Sequence, residues 1–177
     1  QSSIWETTRA RFGWLFINLL TAVLASLVIA MFESTIERVV ALALMMPMVA
    51  SMGGNSGTQT VTVAVRAIAT RQLNDGNSAQ YIRKEMFIGL LNGAGLGLIM
   101  AAGVYILFSD IKLAIVMLLA ATGTMTMAGL WGALIPIFLH RRGFDPAISS
   151  TIFLTTVTDC VGFFSFLGLA TLILLVV

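Results

Sequence analysis

The apolar residues of this chain fall into five long runs separated by short polar gaps. They run from about Phe12 to Phe32, Val39 to Ala69, Met86 to Phe108, Leu113 to Leu139, and Ala147 to Val177. A helix needs roughly 20 mainly apolar residues to cross the hydrocarbon core of a bilayer. The pattern therefore predicts an all-α integral membrane protein with five transmembrane helices. Residues 1–11, with Trp5, Arg9 and Arg11, read as an interfacial lead-in segment, and residues 12–177 as the transmembrane domain. The second run is interrupted by Pro47 and by Gly53, Gly54 and Gly57, so that helix is expected to be broken or kinked.

Composition agrees with lipid as the solvent. Of 177 residues 58% are apolar and only 10% charged, against about one-quarter charged in soluble domains. The net charge of +2 does not point to nucleic acid, because the basic residues sit in the gaps between apolar runs. One set of gaps holds Arg9 and Arg11, then Arg71, Arg83 and Lys84, then Arg141 and Arg142; the alternate set holds only Arg38 and Lys112, beside Glu33, Glu37 and Asp110. Cytoplasmic loops carry the Lys/Arg excess. The expectation is a multi-pass protein of the cell inner (plasma) membrane, N-terminus cytoplasmic and C-terminus outside.

The chain has one cysteine, Cys160, and one histidine, His140, too few for a thiolate or imidazole metal centre. No nucleophile–base pair or nucleotide-binding loop is present, so an enzyme is not expected. The chain opens on Gln1 without an initiator methionine, and a partial or processed chain is expected, its N-terminal partner domain removed.

The strongest chemical signal is Asp159. It lies about a dozen residues into the fifth run, roughly 18 Å along a helix and so close to the bilayer midplane. A charged Asp there costs about 2.5–3.5 kcal/mol on insertion scales, and no local Lys or Arg compensates. Thr151 and Thr155 precede it at intervals of four, so the three share one helical face. The bland alternative is a protonated Asp159 in a threonine-lined packing seam. The functional one is a cation site on a pore-lining stripe.

In the second run Gly53, Gly54 and Asn55 sit about 15 residues from the span's outer end, again near the midplane. Backbone freed at such a break could coordinate cations, and Asn55 and Gln59 add amide oxygens. The bland alternative is that the glycines only let helices pack closely. Gly89, Gly93 and Gly97 of the third run read as such a packing ridge, and Met45, Met46, Met48 and Met52 as adaptable filler. Glu33 and Glu37 are either cation-attracting or merely solvated.

Every candidate ligand is oxygen: Asp159, Thr155, Thr151, Gly53, Gly54 and Asn55. Oxygen suits hard cations, and Mg2+ typically keeps its waters while binding through one or two carboxylates. A two-fold homodimer with the pore at its interface would supply a second Asp159.

These residues carry a resemblance. Pro47, then Gly53-Gly-Asn-Ser-Gly-Thr-Gln59, then Arg66 and Arg71 resemble the second span of the MgtE family of magnesium channels. Thr155-Thr-Val-Thr-Asp159-Cys-Val-Gly162 resembles its fifth span, and Arg11-Phe-Gly-Trp14 the start of its first. The resemblance implies a homodimeric pore lined by the second and fifth spans, with Asp159 holding hydrated Mg2+ and the Thr155 carbonyl facing the ion. It also implies N-terminal cytoplasmic regulatory domains absent from this chain. Three functions stay open: a Mg2+-selective channel, with Mn2+, Co2+ or Ca2+ as further candidates; a Na+- or H+-coupled divalent cation exchanger; and a non-transporting scaffold.

Overall fold

The structure, a computed structural model, describes residues 4–74 and 76–176. Among these every regular element is helical: α1 (Ile4–Ala30), α2 (Glu33–Arg38), α3 (Ala41–Ala69), α4 (Ser78–Phe108), α5 (Ile111–Arg141) and α6 (Pro146–Ala170), which ends in a π-helical turn, Thr171–Val176. Four stretches are long and apolar enough to cross a membrane: Ile4–Ala30, Ser78–Phe108, Ile111–Arg141 and Ser150–Leu175. With 29 residues α3 is also long enough, but Ser51, Asn55, Ser56, Thr58, Gln59, Thr60, Thr62 and Arg66 make it too polar to count among them.

The apolar runs marked the helices but not their ends. Residues 4–11, expected as a lead-in, form the first turns of α1, whereas residues 1–3 lie outside the described residues. The gap after the first run contains a short helix, α2, that the apolar pattern could not mark. Its Thr35 hydroxyl lies 2.8 Å from that of Thr171, which ties it to the end of α6. Between α3 and α4, Asp75 is outside the described residues. Asn74 organises what surrounds it, its Oδ1 accepting from the backbone N–H groups of Gly76 and Asn77 at 3.0 and 3.2 Å.

Of the expected break or kink in the second run, the break is corrected: the helix α3 continues through Pro47, Gly53, Gly54 and Gly57. Proline removes one helical hydrogen bond near the helix start, and glycine can adopt helical angles when packing repays its entropy. Packing does so here. A Cβ on Gly57 would lie 2.8 Å from the methyls of Leu154, and one on Gly53 would collide with Thr124.

The central helix is α5, which packs against α3, α4 and α6 and buries more of its residues than any other helix, while Ile115, Leu119 and Gly123 keep one face open. The ridge of α4 behaves as a packing surface. Gly89 meets the Met125 carbonyl, and a Cβ on Gly93 would come 2.8 Å from Thr122 Cα. Two apolar clusters of the core lie along α3, α5 and α6. One joins Leu42, Met45 and Val49 to Val116, Met117, Ala120, Phe166 and Leu167; the other joins Val61, Ile135, Leu139 and Leu154. A third cluster joins Ala67, Leu73 and Ile137. Met45 is core filler, as expected. By contrast α1 packs on α6 and, among its described side chains, buries only Ala25.

Candidate functional site

The site is built where α3 meets α6. A Cβ on Gly53 would lie 3.7 Å from Thr158 Cβ, and one on Gly57 would touch Leu154. The numbers rise along α3 as they fall along α6, so the two helices run antiparallel. Gly53 is thus level with the residue that precedes Asp159, and the two polar interruptions of the chain lie side by side.

Antiparallel contact also fixes which faces go together. One step along an α-helix turns about 100°. From the Gly53 and Gly57 contacts on α3, one step reaches Gly54 and Thr58; from Leu154 and Thr158 on α6, one step reaches Thr155 and Asp159. In antiparallel neighbours these rotations lead to the same side of the pair. Gly54, Thr58, Thr155 and Asp159 therefore share one surface. A Cβ on Gly54 would meet nothing within 4 Å, so the surface is open there.

Within that surface Asp159 is half-buried, and no other described residue forms a hydrogen bond or ion pair with it. The hydroxyls beneath it are turned onto the helix. Thr155 Oγ1 donates to the Thr151 carbonyl at 2.9 Å, and Thr158 Oγ1 donates to the carbonyls of Leu154 and Thr155 at 3.0 and 3.2 Å. The Gly54 carbonyl accepts from Thr58 Oγ1 at 2.8 Å. Thr151 is exposed and Thr155 half-buried, on the same stripe as Asp159.

The other sequence-marked residues divide. Gly53 is buried against Thr124 and Thr158 and acts as a spacer, while Gly54 borders the open face. Asn55 lies a further 100° round α3, on the side turned from α6, where its Nδ2 donates to Ser51 Oγ at 3.4 Å. One chain therefore does not gather Asn55 to Asp159. Among the described residues no group of three His, Cys, Asp or Glu could hold a metal ion.

Two features were missed in the sequence. The first is a stripe of exposed polar residues along α3: Ser51, Asn55, Thr58, Thr62 and Arg66. Their spacing of four, three, four and four is one helix face, and that period could have revealed it. The second is Thr124, a buried hydroxyl on α5 with no hydrogen-bond partner, which nothing in its apolar surroundings marks.

Residues 46–169 match the family described as MgtE, divalent cation transporter. The chain is 35% identical over 170 residues to the magnesium transporter MgtE of Thermus thermophilus, a match covering 93% of this chain and 36% of that protein. It is 32% identical over 161 residues to the magnesium transporter MgtE of Bacillus subtilis, covering 91% of this chain and 36% of that protein. Identity to the Enterococcus faecalis magnesium transporter MgtE is also 32%, over 162 residues and with 92% and 36% covered. The chain thus spans little more than a third of the length of these relatives. All three are named as transporters, in keeping with a chain that is not an enzyme. With most of its helices and both polar motifs inside the matched region, the chain belongs to the MgtE family of divalent cation transporters.

Proposed function

We propose that this chain forms half of a Mg2+-selective pore, completed by a second copy of itself, through which hydrated divalent cations pass into the cytoplasm. The observation that carries the reading is the polar surface on α3 and α6. Asp159 stands without a partner among the described residues, on the same side as Gly54 and Thr58, and the Ser51–Arg66 stripe continues that polarity round α3. Such a surface is costly against lipid chains and favourable against water. With two copies facing across a two-fold axis, α3 crosses the membrane as a fifth span with its stripe in water.

One carboxylate is too little for a dehydrated divalent ion, whereas two Asp159 side chains flanking a hydrated Mg2+ suit an ion that keeps its water. Thr155 and Thr151 extend the stripe, and Gly54 leaves room beside it. Asn55 acts on the pore wall facing the second copy rather than as a ligand next to Asp159 of its own chain. With the N-terminus cytoplasmic, the membrane potential drives the ion inward by about 4.6 kcal/mol per 100 mV, twice the single-charge value. The relatives' names favour Mg2+ as cargo. A coupled exchanger is the second reading.

The test is uptake of Mg2+ into liposomes holding the purified chain, under a Mg2+ gradient with no Na+ or proton gradient. Uptake that follows the membrane potential supports the channel. Uptake that appears only with an opposing Na+ or proton gradient supports the exchanger, and absence of uptake in both conditions sinks the transport reading.

A further inference from the structure

Between the two apolar clusters lies a thin layer of small and hydroxylated residues at the depth of Asp159: Gly53 on α3, Thr124 on α5, and Thr158 and Gly162 on α6. Thr124 is 1% exposed. Its Cγ2 methyl is the nearest neighbour of both glycines, 2.6 Å from a Cβ built on Gly53 and 3.3 Å from one built on Gly162. The first separation is a collision and the second is tight. A single methyl of α5 is therefore wedged between the two helices that carry the site, and each keeps a glycine where it touches that methyl. Hydrogen bonding does not explain the residue. Thr122 and Thr126 each donate to a carbonyl four residues back at 2.7 Å, but the Thr124 hydroxyl is buried with no partner.

We infer that Thr124 is a positioning residue whose methyl sets the separation of α3 and α6 at the ion pathway, and so tunes which hydrated cation passes. It touches no ion. It acts on α3 through Gly53 and on α6 through Gly162, three residues after Asp159 on the same helix. Close-packed interiors transmit a one-methyl change rather than absorb it. Moving this methyl therefore moves Asp159 relative to Gly54 and Thr58 across the shared surface. The inference rests on the transport reading above.

The test measures Mg2+, Mn2+ and Ca2+ uptake into liposomes for the wild type, Gly53→Ala, Thr124→Ser and the double variant. Gly53→Ala is expected to lower Mg2+ flux by roughly tenfold, as a methyl forced into the wedge. In the double variant Cγ2 is gone, and the new methyl's nearest remaining neighbours are Thr158 Cβ at 3.7 Å and the Cβ of residue 124 at 4.0 Å, which are ordinary contacts. Its Mg2+ flux should return to within about twofold of wild type. Thr124→Ser alone should shift the Mg2+ to Ca2+ ratio, and Thr124→Val, which keeps the methyl, should restore that ratio. If Gly53→Ala fails to fold, Gly162→Ala takes its place and the same Thr124→Ser must rescue it. A merely structural role would lower all three fluxes in proportion to folded protein and leave the ratio alone. An unmoved ratio in Thr124→Ser, or a double variant no better than Gly53→Ala, overturns the spacer while leaving wild-type transport intact. Wild-type protein that carries none of the three ions overturns the transport reading itself.

Discussion

At the residue scale the chain sets an energetic cost against a functional gain at two positions. Asp159 places a half-buried carboxylate within an apolar helix, and no other described residue pairs with it. Replacing it with Asn keeps shape and hydrogen-bonding capacity but removes the charge. Asp159→Asn should reduce Mg2+ flux by roughly tenfold or more, while the melting temperature in detergent holds or rises because the intramembrane charge is gone. Unchanged flux with intact assembly would exclude Asp159 as the ion's ligand. Thr124 carries the other cost. A buried hydroxyl left unpaired costs about 1–3 kcal/mol, and replacing it with an apolar group of the same shape recovers part of that. Thr124→Val should therefore raise stability by about 1 kcal/mol in equilibrium unfolding, and a loss of stability would mean that the hydroxyl does have a partner in the bilayer.

At the scale of elements, glycine placement separates packing from open space. On α4, Gly93 presses on the α5 backbone, with Thr122 Cα 2.8 Å from any added Cβ, whereas Gly95 two residues on has nothing within 4 Å. Gly93→Ala should lower stability by about 1–3 kcal/mol, since α4 must lift off α5. Gly95→Ala should be neutral or gain up to about 1 kcal/mol from helix propensity. Thermal unfolding of the two variants in the same detergent checks the contrast, and equal effects would refute the α4–α5 arrangement. The same glycines show what the sequence could and could not reveal. Long apolar runs located the membrane helices, and counting helix rise put Gly53 level with Asp159, because both depend on local spacing. The glycine cluster in α3 was ambiguous, since identical residues suit an unwound segment or a close contact. Only the methyls of Thr124 and Leu154 on other helices decide for contact. Glu85 is hidden in the same way. By sequence it follows Arg83 and Lys84 just before the third apolar run, yet it is buried because α4 begins at Ser78 and carries it against Gly129 of α5.

At the scale of the whole molecule, the polar face of α3 has no cover within one chain. Ser51, Asn55, Thr58, Thr62 and Arg66 span about 22 Å of helix, most of a hydrocarbon core. Elsewhere the exposed surface suits lipid: Leu91, Leu98, Ile99 and Ile106 line α4, and beyond Arg11 α1 is mostly apolar along its exposed length. In the proposed pore the bundle pairs through this polar face, and two-fold pairing would set each α3 opposite its own copy. This arrangement makes a geometric prediction. In a Cys160→Ser background, Asn55→Cys and Thr62→Cys should each give a covalent dimer with a short bifunctional maleimide in native membranes. Leu98→Cys, placed on a lipid-facing side, should stay monomeric under the same treatment. Added Mg2+ should slow the Asn55→Cys reaction more than the Leu98→Cys labelling, because the ion and its water would occupy the space between the two copies. Dimers formed through Leu98→Cys but not through Asn55→Cys or Thr62→Cys would place the interface on α4 and leave the polar stripe of α3 to another role.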